Sequence, residues 1–152
     1  MMKMVKELVY WWMCLGVLCC VVIDGTVVTD CGSVARVDRV DIEGCIIPPC
    51  VVTRPDIQDV NITFTPDYQV ESFSSVLDAY FGDAHYPWPG PGGCDLLTEG
   101  GSCPLLAGHT YHFHSIMPVL SIYPELSVVV TWFLEDENNK PLVCIRFPVI
   151  IL

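Results

Sequence analysis

Apolar residues follow two rhythms along this chain. Residues 8–23 run for sixteen positions without a charge, behind Lys3 and Lys6 and ahead of Asp24-Gly25. A membrane span needs about 20 apolar residues, whereas a basic flank before a shorter apolar run is the make-up of a secretory signal peptide. An uncleaved signal anchor is the competing reading. The pattern predicts a signal peptide over residues 1–25, cut near Ile23-Asp24-Gly25, and one domain over residues 26–152.

After the leader the rhythm changes to a period of two. Residues 34–43 alternate loosely, with Val37, Val40 and Ile42 apolar. In Val60-Asn61-Ile62-Thr63-Phe64-Thr65, Val60, Ile62 and Phe64 share one face. Residues 75–81 read as a further strand. Tyr111, Phe113 and Ser115 share a face of residues 110–117, and Val128, Val130, Trp132 and Leu134 share one in the next run. Residues 141–151 close the chain. Alternation of this kind marks half-buried strands, and Glu135-Asp136-Glu137-Asn138-Asn139-Lys140 reads as a solvated hairpin tip between the last two. Short strands separated by Pro/Gly turns, with little helix, predict an all-β chain folded as an antiparallel β-sandwich. Tyr86-Pro87-Trp88-Pro89-Gly90-Pro91-Gly92-Gly93 is too rich in proline for a central strand and belongs at an edge or on a rim. Its aromatics suit either the rigid mouth of an apolar cavity or a stiff turn that caps the core, and composition does not choose between them.

Charge narrows the function. The net charge is −11, and because Lys3 and Lys6 cancel Glu7 and Asp24 the body keeps all of it. A surface this acidic repels phosphate backbones and anionic membranes, so no nucleic-acid partner is expected. Neither Gly-x-Ser-x-Gly nor His-Glu-x-x-His occurs, which argues against an enzyme, and no cofactor is expected. Of nine cysteines, Cys14, Cys19 and Cys20 lie in the leader. Cys31, Cys45, Cys50, Cys94, Cys103 and Cys144 remain, an even set suited to an oxidising compartment, with fifteen pairings open. Cys45 and Cys50 are near enough to close a small ring through Pro48-Pro49. Cys94 and Cys103 flank a loop made flexible by Gly100-Gly101, which would leave Cys31 and Cys144 to tie the first strand to the last. Zinc is the weaker reading, since no Cys-x-x-Cys pair occurs, and no metal site is expected. His112 and His114 share a strand face and read as solvent-facing. Asn61-Ile62-Thr63 is a glycosylation sequon.

Asp30-Cys31-Gly32-Ser33-Val34 behind a signal peptide resembles the start of the ML lipid-recognition domain family. The similarity continues through Cys45-x4-Cys50, residues 60–65, Pro87-x-Pro89-x-Pro91-x-Gly93-Cys94, Cys103-Pro104-Leu105, Met117-Pro118-Val119, Tyr123-Pro124, Val129-Val130-x-Trp132 and Leu142-Val143-Cys144. It is strongest to the Niemann–Pick type C, protein 2 branch and the group 2 mite allergen-like relatives. The resemblance implies an immunoglobulin-like sandwich of seven or eight strands with an apolar cavity between its two sheets. It implies the pairing Cys31–Cys144, Cys45–Cys50 and Cys94–Cys103. Carried over position by position, it makes Tyr86, Pro118, Val119, Tyr123 and Trp132 the ligand-binding residues. Tyr86 stands where the sterol carriers have phenylalanine, adding a hydroxyl at the mouth. The implied function is a secreted, extracellular carrier, with the lysosomal lumen as the alternative location. It would bind and transport one sterol, fatty acid or other small apolar lipid. The implied state is a monomer, with a membrane lipid-transfer protein or receptor as partner. A lipid-sensing co-receptor or immune interaction protein of the same fold is the alternative.

Overall fold

A computed structural model of the chain describes residues 25–152, so the predicted leader, Gly25 apart, lies outside the described residues. Nine strands form: β1 (Thr29–Asp30), β2 (Arg36–Ile42), β3 (Cys50–Val52), β4 (Asp56–Thr65), β5 (Phe73–Phe81), β6 (Ala84–Gly93), β7 (Tyr111–Val119), β8 (Leu126–Asp136) and β9 (Pro141–Ile151). The larger sheet runs β1-β9-β8-β5-β6, and the smaller runs β2-β4-β7. Pairing is antiparallel throughout except for β3, which runs parallel to β9. The count exceeds the seven or eight expected because β1 and β3 are fragments set end to end along one edge of β9, at residues 145–146 and 149–151. Two long runs start earlier than alternation suggested. β4 opens at Asp56 and β5 at Phe73, where polar and aromatic positions hide the period.

The inner faces carry the predicted apolar sets. Val60, Ile62 and Phe64 of β4 and Phe113 of β7 are fully buried against Trp132 and Leu134 of β8 and Phe147 of β9. At this end large rings fill the space between the sheets. Phe73 meets Phe64 and Phe113 edge-on, with centroids 6.0 Å apart in both pairs, a favourable aromatic geometry.

The proline-rich segment forms an edge strand, one of the two places expected for it. β6 pairs with β5 alone, from Phe81↔Ala84 to Ser74↔Gly93. Its glycines are needed for contact. A Cβ on Gly93 would collide with the Phe73 carbonyl, and one on Gly90 with Ser75 and Leu77.

Among the described residues three disulfides join the pairs Cys31–Cys144, Cys45–Cys50 and Cys94–Cys103. The Asp30-Cys31-Gly32-Ser33 motif has a local reason. Asp30 Oδ1 accepts the amides of Gly32 and Ser33 at 2.9 Å each, and Gly32 takes a φ of 116° that other residues resist. The turn sets the Cys31 amide on the Cys144 carbonyl at 2.9 Å and the Ser33 hydroxyl under the Cys144 amide at 2.8 Å. Burial acting alone would raise the Asp30 carboxyl, but the two amide hydrogen bonds and the Ser33 hydroxyl hold it below its ordinary value of 3.8.

The β8–β9 tip is solvated at residues 137–140, as expected, but Asp136 is not. Asp136 is only 4% exposed. Its Oδ1 accepts the amides of Asn138 and Lys140 at 2.8 Å, and its Oδ2 accepts the Tyr68 hydroxyl at 2.6 Å. Lys140 Nζ lies 5.4 Å from the Tyr68 ring centre. Burial would raise the Asp136 carboxyl, yet the hydrogen bond from Tyr68 and those from the two amides bring it below 3.8. Burial and the same carboxylate push the Tyr68 hydroxyl up. A depressed folded pKa means the stabilisation is full above pH 3.8 and is lost as pH falls through the lower folded value. Urea unfolding should therefore show Tyr68→Phe costing about 1–2 kcal/mol at pH 7, with the deficit shrinking toward pH 2. A deficit independent of pH would assign the loss to packing instead.

Candidate functional site: an apolar cavity between the sheets

At the far end of the sandwich the inner-face residues shrink. Along β5 the series Phe73, Ser75, Leu77 gives way to Ala79. Along β8 Trp132 and Leu134 give way to Val128 and Val130. Along β9 Phe147 gives way to Val149 and Ile151, and along β7 Phe113 gives way to Met117 and Val119. Aliphatic side chains cannot bridge a gap that rings fill, and a cavity of about 570 Å³ remains. Val52 of β3 and Phe81 of β5 add to its walls, and the connection from β7 to β8 adds Tyr123 and Pro124. Among the described lining residues no side chain carries a charge, and the only side-chain oxygen or nitrogen atoms are the hydroxyls of Tyr86 and Tyr123.

Four of the five residues singled out from the sequence meet here. Tyr86, Pro118, Val119 and Tyr123 all line the cavity, from β6, β7 and the β7–β8 connection. Tyr86 is 63% exposed and stands at the mouth, whereas Val119 is buried. Trp132 lies deeper. It is fully buried one inward-facing position beyond Val130, its indole N–H donates to Ser75 Oγ at 2.8 Å, and it is not among the lining residues.

A shallower groove of about 690 Å³ lies outside, over Pro55, Asp56, Ile57 and residues 118–122, sharing Pro118 and Val119 with the cavity. Ile57 and Ile122 stand exposed along it. It is larger but contains Asp56 and is open to solvent, so the enclosed apolar space is the better candidate site.

Arg54, which sequence reasoning passed over, holds the mouth from behind. Its Nη1–H donates to the Tyr123 carbonyl, its Nε–H to the Leu152 carbonyl at 3.0 Å and its Nη2–H to Glu125 at 3.0 Å. The only signal in the chain was an isolated cation in an acidic body.

The histidines sit away from the cavity. His85 faces outward, opposite Tyr86. It stacks on Tyr80 at 5.7 Å and 19°, with Nδ1 3.5 Å from Asp78 Oδ2. His112 and His114 share the outer face of β7, each engaged by a different carboxylate, Glu99 at 3.1 Å and Asp59 at 2.7 Å. Asn61 is exposed on the same outer face, at the middle of β4 between Asp41 and His114.

Comparison with known proteins gives a consistent result. The family model described as "ML domain" matches residues 25–151. The NPC intracellular cholesterol transporter 2 of Danio rerio is 35% identical over 126 residues, covering 81% of this chain and 83% of that protein. Homolog a of the same transporter in Drosophila melanogaster is 30% identical over 125 residues, covering 79% and 83%. Among solved structures, a Niemann-Pick type C2 protein from Japanese carpenter ant superposes with a TM-score of 0.73 at 26% identity, over 83% of this chain and 99% of that one.

Proposed function

The chain belongs to the ML domain family, and from that premise we propose that it is a secreted carrier that takes one sterol, fatty acid or similar apolar ligand between its two sheets and transports it. The observation that carries this reading is the cavity, about 570 Å³ of uncharged, mostly aliphatic wall reached past Tyr86. Each Å² of apolar ligand surface moved into it contributes about 25 cal/mol. Walls of this kind suit the binding and release of an apolar ligand, and carriage is the activity we read from them. The similarity to intracellular cholesterol transporters supports the same class.

In this reading Tyr86, Pro118, Val119 and Tyr123 touch the ligand, and Trp132 closes the floor behind Val130. Asn61 carries a glycan on the outer face of the smaller sheet, opposite to the cavity. The protein works as a monomer in extracellular fluid or the lysosomal lumen and hands its ligand to a membrane protein. Among the described residues no helix is long and apolar enough to cross a membrane. A lipid-sensing co-receptor would hold its ligand partly outside, and the depth of the cavity favours the carrier.

Titration of the purified protein with a fluorescent sterol and a fluorescent fatty acid, followed by native mass spectrometry, tests the proposal. One ligand per chain is the expected result. A folded protein that binds neither probe overturns it.

A further inference from the structure

We propose that Arg54 is a positioning residue for ligand retention: its guanidinium fastens the connection that walls the cavity mouth to the end of β9, and so sets how fast ligand leaves. The inference rests on the carrier reading and concerns the same site.

The cavity mouth has two walls with little in common along the chain. One is the β7–β8 connection, which contributes Tyr123 and Pro124; the other is the end of β9 with β3, which contributes Ile151 and Val52. Arg54 follows β3 and reaches both. Its Nη1–H takes the Tyr123 carbonyl in the first wall and its Nε–H the Leu152 carbonyl in the second. Its own amide bonds the same Leu152 carbonyl at 3.0 Å, while the Leu152 amide returns to Val52 at 2.9 Å. The connection closes on itself through Tyr123 N–H to the Leu120 carbonyl at 3.1 Å and joins β9 along the chain where Leu126, opposite Ile151, begins the β8–β9 ladder; Arg54 ties down the turn that precedes that pair.

The chemistry suits the task. A guanidinium is planar and permanently charged, and it carries donors that diverge from one centre, so it can hold two carbonyls and a carboxylate together. A lysine ammonium on the same stem cannot span all three. The third partner, Glu125, is well exposed, and exposed pairs contribute little; the two carbonyls are therefore the contacts that matter. Arg54 itself does not line the cavity. It controls the position of Tyr123, and through Tyr123 the width of the opening.

The test is stopped-flow displacement of a fluorescent sterol and of a fluorescent fatty acid from wild type, Arg54→Met and Arg54→Lys. Arg36→Met serves as control, its cation lying exposed on β2 in the other sheet. The Arg54 variants should release probe about tenfold faster, and because entry uses the same opening, association should be no slower than in wild type. Arg54→Lys, which keeps the charge, should resemble Arg54→Met. Amide hydrogen exchange should speed up at residues 120–125 and stay slow at Trp132, which a general loosening would not reproduce. If Arg54→Met does not fold, Arg54→Lys carries the test alone. A wild type that binds probe while its Arg54 variants release it at the wild-type rate overturns this inference and leaves the carrier standing. A wild type that binds neither probe overturns the carrier reading first.

Discussion

Val119→Glu should abolish binding of apolar ligands while leaving a folded protein. Val119 is 4% exposed at the end of β7, with its side chain in the cavity wall. Among the described residues that line the cavity, none is a cation that a carboxylate there could meet. Arg54 is committed to two carbonyls and Glu125, and Asp56, the partner of Val119 across β4 and β7, adds a like charge. The charge either draws water into the slot or must be stripped of it when ligand enters. An unpaired buried charge costs several kcal/mol, about 100-fold or more in affinity. The fold should survive because the ring-filled end and the disulfides lie outside the cavity. Titration with a fluorescent sterol, with near-ultraviolet circular dichroism as the folding check, measures both. Wild-type affinity in a folded Val119→Glu protein would move the site elsewhere.

The second large effect is on stability. Replacing Cys31 and Cys144 together by alanine removes a cross-link across 113 positions, worth about 5 kcal/mol by chain entropy. Replacing Cys45 and Cys50 opens a ring spanning 5 positions and should cost only about 2 kcal/mol on the same account. The first variant should melt more than about 10 °C below wild type, given roughly 2–8 °C per kcal/mol for domains of about this size. It also frees β1, whose two pairs with β9 lie directly before Cys31. Differential scanning calorimetry of both variants decides the matter. Equal losses would show that unfolded-chain entropy is not what the long bridge limits.

Period-two alternation identified the inner faces of β4, β7 and β8, because a half-buried strand must present one apolar side. It could not say how far apart those faces lie. Trp132 and Val130 occupy the same face of the same strand, and the sequence treats them alike. Only the sizes of the residues facing them, rings at one end and valines at the other, make one a core residue and the other a wall. Depth is a property of both sheets together, which no single strand encodes. Asp136 was misread for a similar reason. In an acidic hairpin it reads as solvated, but Tyr68, 68 positions away, supplies the hydroxyl that lets it be buried. The short strands β1 and β3 offer too few residues for any period to show. Proline at Pro87 and Pro89 did carry its message, since a residue without an N–H can sit only on an edge.

Those prolines also bear on how the molecule avoids its own kind. Successive amides in a strand point to opposite sides, so Pro87 and Pro89, facing Asp78 and Val76 in register, put their missing donors on the side away from β5. The outer rim of β6 is thus short of the N–H groups that an incoming strand would need. A free sheet edge is ordinarily a template for aggregation. Here the segment that frames an apolar mouth is also the one least able to extend the sheet into a neighbouring molecule. At high concentration, with the cavity empty, that edge chemistry works against fibrillar growth of a chain that must keep a hydrophobic slot open in water.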